Sequence, residues 1–282
     1  MASGPRRPVV AVVGVGLIGG SIGLAARERA GALVRGWDTR DGVLATALER
    51  GALTDACGSL AEALEGASVA FVAVPVGALP GTVADVLAAA GEDCVVTDVG
   101  STKRSVVAAV DDPRFVGGHP LAGAETAGVE HARADLFDGA PYVLTSTEDG
   151  SDPAALAALE ETLASVGASV RVMTAREHDR ALALVSHLPQ LLSSALASTV
   201  GDQPDAAALL GLSGSGFRDV TRLAASPWSV WRDILATNPR EVASALDQLL
   251  DKLTAERDEL RQLSDGGQSL EATAALFNTS RQ

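Results

Sequence analysis

The sequence predicts an α/β fold in which a doubly wound, mostly parallel sheet (residues 1–174) is followed by an all-helical domain (residues 175–282). Two observations predict the sheet: short apolar runs alternate with helical patterns, and a glycine-rich turn follows the first run. A third predicts the second domain, because no strand pattern occurs after Thr174 and the later apolar residues follow helical spacing. With 282 residues the chain is long enough for two domains.

Seven apolar runs of the first domain are predicted strands, because each is short and rich in β-branched residues. They cover residues 9–13, 33–37, 69–74, 94–98, 115–116, 142–145 and 169–173. Helices are predicted over residues 17–29, 42–50, 79–90 and 152–166. Asp152 and Pro153 support the start of the last of these, as an N-cap and as a proline at the first helical position. Parallel strands need crossovers of this kind, so the pattern indicates a parallel sheet.

Helical patterns fill the second domain, over residues 175–200, from Ala206 onward, and over 228–235 and 239–263. The last pattern carries apolar residues at near-heptad spacing: Val242, Leu246, Leu249, Leu250, Leu253, Leu260 and Leu263. Such a stripe is typical of a core or subunit contact. Residues 263–269 are predicted to form a loop, with a loose tail behind it.

Charge and cysteine content exclude several classes of function. A net charge of −14 argues against a nucleic-acid partner, which needs a basic surface. Cys57 and Cys94 are too few for a disulfide framework or a cysteine metal site, so we expect a cytoplasmic protein without a bound metal. Arg6 and Arg7 precede an apolar run that imitates an export signal, but its glycines fit a strand–turn–helix better. We expect no membrane partner.

The glycine-rich turn predicts a nucleotide site. Gly14, Gly16 and Gly19 form the pattern G-x-G-x-x-G between a predicted strand and a predicted helix, with Leu17 and Ile18 before the last glycine. Such glycines let the backbone turn tightly and approach a pyrophosphate at the helix N-terminus, as in Rossmann domains. The alternative is a structural turn without a ligand.

Residues at the ends of the next two strands are expected to contact the rest of the cofactor. Asp38 ends the second strand about 20 residues after the glycines, where a carboxylate binds the ribose hydroxyls. This favours NAD, because a carboxylate repels the 2′-phosphate of NADP. Arg40 complicates the choice, since it could contact that phosphate or stack on the adenine. Val74 and Pro75, at the end of the third strand, complete the predicted cofactor residues.

Three segments carry the residue types of a catalytic site. Ser101 follows the fourth strand and would offer a hydroxyl, or else would cap the next helix. His119 lies in a Gly/Pro-rich segment after the fifth strand and is a candidate base, because histidine titrates near neutral pH. Arg222 suits carboxylate recognition, but Arg218 and Arg232 are equally available, and all three could be surface ion-pair partners.

Five motifs in order resemble the prephenate and arogenate dehydrogenase family, and the likeness covers nearly the whole chain. They are GVGLIGGS (14–21), DVGSTK (98–103), GGHPLAGAE (117–125), EHDRALALVSHLPQ (177–190) and GFRDVTRLAASPWSVWRDI (216–234). The resemblance implies a Rossmann domain, a helical domain that forms a homodimer, and a nicotinamide cofactor that accepts hydride. The activity it implies is the oxidative decarboxylation of a small molecule, prephenate or arogenate, in tyrosine biosynthesis.

The resemblance also implies catalytic roles. His119 matches the histidine that accepts the proton of the substrate's 4-hydroxyl while hydride leaves C4. Ser101 matches the serine that hydrogen-bonds this hydroxyl, and Arg222 matches the arginine that binds a substrate carboxylate.

Six more positions are expected at the substrate site by the same resemblance: Glu125, Asp219, Trp231, Ser186, His187 and Gln190. The two acidic residues would balance the nearby arginine, and Trp231 would lie at the subunit interface. His187 is expected to be packed rather than to act as a second base. Gln190 departs from the SHLPH of many members, and we hypothesise that it shifts selectivity toward the amino-acid side chain of arogenate.

Two other functions also fit parts of the sequence. A β-hydroxyacid dehydrogenase or imine reductase shares the layout but would need a catalytic lysine on a helix of the second domain. The only lysines are Lys103, in the first domain, and Lys252, which lies within the leucine stripe. A sensor that binds NAD without catalysis is another alternative. Among dehydrogenase substrates, prephenate, arogenate and an analogue with an amino group at C4 all fit the motifs.

Overall fold

The coordinates are a computed structural model that describes residues 7–123, 126–146, 151–266 and 269–279. The chain forms two compact units, one of Met1–Asp179 with Ser226–Asn238 and one of Arg180–Ala225 with Pro239–Gln282. The last strand ends at Val172, and the helices that follow begin at Ala175. The described residues therefore contain no strand after Val172.

The described residues of the first unit form a single sheet of eight strands. These are β1 (Val9–Val13), β2 (Leu33–Trp37), β3 (Asp55–Ala56), β4 (Val69–Val72), β5 (Val95–Asp98), β6 (Phe115–Pro120), β7 (Pro141–Thr145) and β8 (Ser169–Val172). Their order is β3-β2-β1-β4-β5-β6-β7-β8, and all neighbours are parallel except β6 and β7. This confirms the predicted doubly wound sheet. The strand order reverses between β1 and β4, the kind of point where such folds bind ligands.

The described residues also form thirteen α-helices, distributed over both units. They are α1 (Leu17–Ala30), α2 (Val43–Glu49), α3 (Leu60–Leu64), α4 (Leu79–Ala89), α5 (Arg104–Ala109), α6 (Pro153–Ser165), α7 (Ala175–Leu182), α8 (Leu188–Gly201), α9 (Ala206–Gly211), α10 (Ser215–Thr221), α11 (Trp228–Thr237), α12 (Pro239–Ser264) and α13 (Glu271–Thr279). Helices α1 to α6 and α11 belong to the first unit, and the boundary between the units falls within α7.

The sheet separates two apolar clusters because alternate residues of a strand face opposite sides. In β1, Val10 and Val12 belong to one cluster and Ala11 and Val13 to the other. Helices α1, α2 and α6 contribute to the first cluster, and α3, α4 and α5 to the second. The β1 side chains are buried on both faces, as expected for a central strand of a parallel sheet.

The fifth predicted strand was too short. The sequence predicts only residues 115–116, whereas β6 continues to Pro120 and is buried throughout. Glycine lowers strand propensity, which hides this extension from a pattern search. The glycines are required by packing, because a Cβ on Gly118 would collide with the carbonyl oxygen of Asp98. The extension pairs His119 with Val143 of β7.

Helix α11 packs within the first unit, against the turn at Val76–Ala78 that follows β4. A Cβ on Gly77 would lie 2.7 Å from Oδ2 of Asp233, so the glycine permits this close approach. The segment from Ser226 to Asn238 therefore belongs to the first unit, although it follows helices of the second unit in the sequence.

The residues Ala175–Gly201 form one helical run, with a π turn at Ala183–His187 between α7 and α8. The most apolar 18-residue window has a mean hydropathy of 1.3, which suits a membrane span by length and composition alone, as do core helices of soluble proteins. The sequence predicts this helical run over residues 175–200, but its length and apolar character as a possible membrane span were overlooked. Two of its side chains, Gln190 and Ser193, are buried. Gln190 donates to the carbonyl oxygen of Leu223, and Ser193 accepts from the N–H of Ala224, which is typical of a helix packed within a protein.

The predicted loose tail is wrong for residues 271–279, which form α13. Glu259 of α12 accepts hydrogen bonds from the backbone N–H groups of Ala272 (2.7 Å) and Thr273 (2.9 Å). These two N–H groups belong to the first turn of α13, where no intrahelical partner exists. A glutamate on another helix supplies the cap, so the sequence near the tail does not reveal it.

Candidate active site

The first part of the site is the glycine turn between β1 and α1. Gly14 has φ +89°, and a Cβ there would lie 2.5 Å from the carbonyl oxygen of Ala73. A Cβ on Gly19 would collide with the carbonyl oxygen of Gly14. Both positions therefore require glycine, one for its backbone conformation and its packing, the other for its packing.

Gly16 lies at the N-cap position of α1, and no side chain of the described residues caps that helix end. The space where a Cβ would project has a single neighbour within 4 Å, Nη2 of Arg40 at 3.9 Å. The N–H groups of the first turn of α1 point to this end of the helix. Open space, uncapped N–H donors and the positive end of the helix dipole together fit a pyrophosphate.

Asp38 and Arg40 lie beside the glycine turn and form an ion pair with each other. The N–H of Val15 donates to Oδ2 of Asp38 (2.7 Å), and Nε and Nη2 of Arg40 donate to its two carboxylate oxygens (2.9 and 2.7 Å). Burial alone would raise the pKa of Asp38, but the hydrogen bonds from Arg40 and Val15 outweigh it and lower the pKa. Asp38 is thus held as a carboxylate, and Arg40 is bound to it.

A buried ion pair joins the ends of β5 and β6. The ammonium of Lys103 contacts the carboxylate of Asp98 and donates to the carbonyl oxygen of Gly118 (2.7 Å), while the N–H of Gly118 donates to Asp98 (3.0 Å). Both charged side chains are fully buried. Burial lowers the pKa of Lys103, against the opposing effect of Asp98 and Asp179. These contacts fix the peptide that precedes His119.

His119 has a histidine as its neighbour. Its Nδ1 lies 2.8 Å from Nε2 of His178, and the ring centroids are 5.0 Å apart in an edge-on arrangement. Nδ1 of His178 lies 2.8 Å from Oδ1 of Asp179. His119 is 8% exposed, whereas His178 and Asp179 are completely buried. The three side chains therefore form a continuous chain that opens toward solvent only at His119.

Sequence reasoning missed His178 and Asp179. Both stand in the EHD triplet of the fourth matching motif, and no expectation was attached to them. The local sequence gave little signal, because α7 also carries Arg176, Glu177 and Arg180, so a histidine and an aspartate in it are expected to be exposed. Their partner lies 59 residues away in the sequence, which a pattern search does not reveal.

Ser101 lies partly buried in the loop between β5 and α5. Its alternative role as a helix cap is wrong, because the N-cap position of α5 is Lys103. The N–H groups of Lys103 and Arg104 donate instead to the carboxylate of Asp179 (2.7 and 2.9 Å). Ser101 follows β5, and His119 lies near the end of β6. Because these strands are parallel neighbours, both residues lie at the same edge of the sheet.

The second unit holds most of the other predicted substrate residues. Arg222 is exposed and begins the tight turn Arg222–Ala225 after α10, and Asp219 is exposed on α10. Nε2 of Gln190 donates to the carbonyl oxygen of Leu223 (2.8 Å), next to Arg222, and to Oγ of Ser194 (3.3 Å).

The remaining predicted residues are distributed over both units. Ser186 and His187 lie in the π turn, and His187 is buried there, which agrees with the packed role expected for it. Trp231 lies on α11 in the first unit and is half-buried. Glu125 lies outside the described residues.

With this geometry in place, comparison with known proteins identifies the family. Residues 22–172 match "Prephenate dehydrogenase, nucleotide-binding domain", and residues 174–272 match "Prephenate dehydrogenase, dimerization domain". The chain belongs to the prephenate dehydrogenase family. The prephenate dehydrogenase of Bacillus subtilis (strain 168) is 33% identical over 251 residues, which are 86% of this chain and 67% of that protein.

Solved structures of the family superpose over almost the whole chain. The prephenate dehydrogenase of A. aeolicus in complex with hydroxyphenyl propionate and NAD+ has a TM-score of 0.88 at 28% identity, over 99% of this chain and 98% of that one. Arogenate dehydrogenase of Synechocystis has a TM-score of 0.81 at 30% identity, over 96% of this chain and 97% of that one.

The predicted family, fold class and enzyme class are therefore confirmed, and this prephenate dehydrogenase family member is an oxidoreductase with a nucleotide-binding and a dimerisation domain. The nucleotide-binding domain and the NAD+-bound neighbour support the predicted cofactor, NAD. The family match removes the β-hydroxyacid dehydrogenase and imine reductase alternatives. Those alternatives would need a catalytic lysine in the second domain, whereas Lys103 forms a buried ion pair with Asp98 in the first unit.

Proposed function

We propose that the chain oxidises prephenate with NAD, with loss of CO2, to give 4-hydroxyphenylpyruvate for tyrosine biosynthesis. The observation that carries the proposal is the placement of His119, buried except for a small exposed fraction, on the β6 edge beside the loop that holds Ser101. The glycine turn that would hold the pyrophosphate, here called the glycine cradle, follows β1 of the same sheet. Loss of hydride and CO2 makes an aromatic ring, so the reaction has a large driving force and needs mainly positioning and one base.

Three side chains act on the substrate in the proposed reaction. His119 accepts the proton of the 4-hydroxyl, as the neutral imidazole of a histidine can. Ser101 hydrogen-bonds the same hydroxyl and orients it toward the base. Arg222 binds a substrate carboxylate through the planar fork of its guanidinium.

The cofactor residues of the proposal are the glycine cradle, Asp38 with Arg40, and the segment after β4. The uncapped first turn of α1 would hold the pyrophosphate and Asp38 the ribose hydroxyls. Val74, which packs 3.1 Å from the Cβ position of Gly14, and Pro75 would line the adjacent wall. NAD supplies the hydride acceptor when bound.

The test is steady-state kinetics of the purified chain with prephenate and NAD, followed by the absorbance of the reduced nicotinamide. Arg222→Ala should raise the KM for prephenate roughly 10–100-fold with a smaller change in kcat, as expected for loss of a charged hydrogen bond. Arg218→Ala is the matched control, since this exposed arginine lies one helical turn away on α10. If only the control raises KM, the carboxylate role belongs to Arg218.

Arogenate is the second candidate substrate, and one observation favours it. Gln190 stands where many family members have histidine, and its amide nitrogen already donates to Leu223 and Ser194. Its remaining polar atom is an acceptor oxygen, which suits the ammonium of arogenate better than a carboxylate. Ser186, in the π turn of the same helical run, would contribute to the same end of the substrate.

The proposal includes a cytoplasmic homodimer formed through the second unit. The dimerization-domain match and the exposed leucines of α12 support it. Trp231 is proposed to lie close to the subunit contact. Glu125 and Asp219 are proposed to balance the charge of Arg222.

A further inference from the structure

The geometry points to a role for His178 and Asp179: we propose that they fix the tautomer of His119, so that Nε2 of His119 is the proton acceptor. Neither residue is needed to touch the substrate, so both are positioning residues. The inference rests on the proposed role of His119 as the base, and it adds which atom of that base reacts and what sets it.

Asp179 is the fixed end of the chain. Its Oδ1 accepts from the N–H of Lys103 (2.7 Å) and its Oδ2 from the N–H of Arg104 (2.9 Å). Nδ2 of Asn238 donates to its carbonyl oxygen (2.8 Å), which holds the main chain as well. Anchored by these three hydrogen bonds and completely buried, the carboxylate cannot turn away from His178.

Two contacts determine which ring nitrogens carry protons: the one between His178 and Asp179, and the one between the rings of His178 and His119. A carboxylate only accepts hydrogen bonds, so the proton of neutral His178 is on Nδ1, 2.8 Å from Asp179. Nε2 of His178 is then an acceptor, and its partner at 2.8 Å is Nδ1 of His119. Nδ1 of His119 must therefore carry the proton of that ring, which leaves Nε2 of His119 as the nitrogen with the lone pair.

This arrangement prepares His119 for proton transfer before substrate arrives. When Nε2 takes the proton of the substrate hydroxyl, the proton on Nδ1 stays in place and continues to donate to His178. The positive charge that forms on His119 is stabilised through His178 by the negative charge of Asp179. The same logic operates where a buried aspartate orients the histidine of a serine hydrolase, and there a wrong tautomer costs about 10⁴-fold in kcat.

The direct test is NMR of the full chain labelled with ¹⁵N-histidine, with His119 assigned by comparison with His119→Asn. Two-bond ¹H–¹⁵N spectra report which ring nitrogen carries the proton. We expect Nδ1 to be protonated and Nε2 unprotonated in both His119 and His178. A proton on Nε2 of His119, or a doubly protonated His178, overturns the proposal. The measurement needs no turnover, so it stands apart from a failure of the activity assay.

The second test compares two substitutions of similar size, His178→Gln and His178→Leu. The amide of glutamine can accept from Nδ1 of His119 and donate to Asp179, whereas leucine can do neither. We expect kcat to stay within about tenfold of the wild type for glutamine and to fall about 10²-fold or more for leucine. The KM values for substrate and NAD should not change in either variant. Equal kcat values for the two variants overturn the proposal, and if the leucine variant does not fold, the NMR result decides.

Discussion

His119 is the single residue on which the proposed chemistry depends most directly. His119→Asn should keep the fold and NAD binding, because its contacts lie on the β6 edge and not in the glycine cradle. We expect kcat to fall about 10²–10⁴-fold, the usual contribution of a general base. Turnover followed at the nicotinamide absorbance and NAD affinity by calorimetry are the measurements. A kcat within about threefold of the wild type would remove His119 from the mechanism.

Asp38 is the residue proposed to select NAD over NADP. Asp38→Ala should lower the preference for NAD over NADP, because it removes a carboxylate that repels the 2′-phosphate and releases Arg40, which now donates to Asp38 through three hydrogen bonds. The measurement is kcat/KM for both cofactors. Asp41→Ala is the matched control, an exposed carboxylate three residues away. An unchanged ratio in Asp38→Ala would mean that Asp38 does not contact the ribose.

Single residues also show how far the sequence alone could go. The motifs pointed to His119 and Ser101 because both lie in conspicuous Gly-rich segments at strand ends. The motifs could not reveal that Lys103 is completely buried. Lysine is almost never buried without a partner, and its pairing with Asp98 is visible only in the folded chain. The contact of His178 with His119 was beyond reach for the same reason.

At the scale of elements, α8 and the turn Arg222–Ala225 determine what Gln190 can do. Gln190→His should raise the kcat/KM of prephenate relative to arogenate, because histidine can present a positive edge to the side chain of prephenate. The comparison is the ratio of the two kcat/KM values in wild type and variant. Ser194→Ala is the control, since it removes one partner of the Gln190 amide and keeps the amide itself. A ratio that stays within about twofold in Gln190→His would show that Gln190 only ties α8 to Leu223.

The elements themselves were predicted where local pattern decides them. Strands β1 and β2 were predicted at their observed bounds, because short runs of apolar residues between turn residues are a strong signal. β3 was missed because its two residues are both exposed and carry no apolar pattern. α13 was missed because its N-terminus is capped by Glu259, a residue of another helix.

At the scale of the molecule, the leucine stripe of α12 remains to be explained. The sequence suggested either a core or a subunit contact, and only Val242 and Ala245 of this helix are buried. Leu250, Leu253 and Leu260 are exposed in the single chain, at 55%, 47% and 56%. Large apolar side chains in a row along an exposed helix face mark an interaction site. Together with the match to a dimerization domain, this favours the subunit contact.

The wild-type chain should therefore be a dimer at micromolar concentration, and Leu253→Glu combined with Leu260→Glu should make it a monomer. Burying a leucine contributes about 1.5–3 kcal/mol, and a glutamate in its place would have to be buried without a partner. Light scattering gives the oligomeric state, and circular dichroism tests whether the monomer keeps its helices. Ala255→Glu combined with Gln262→Glu is the control, because these exposed residues lie on the face of α12 opposite Leu253 and Leu260. A double variant that stays dimeric would place the subunit contact on another surface, and a wild-type monomer would contradict the dimer itself.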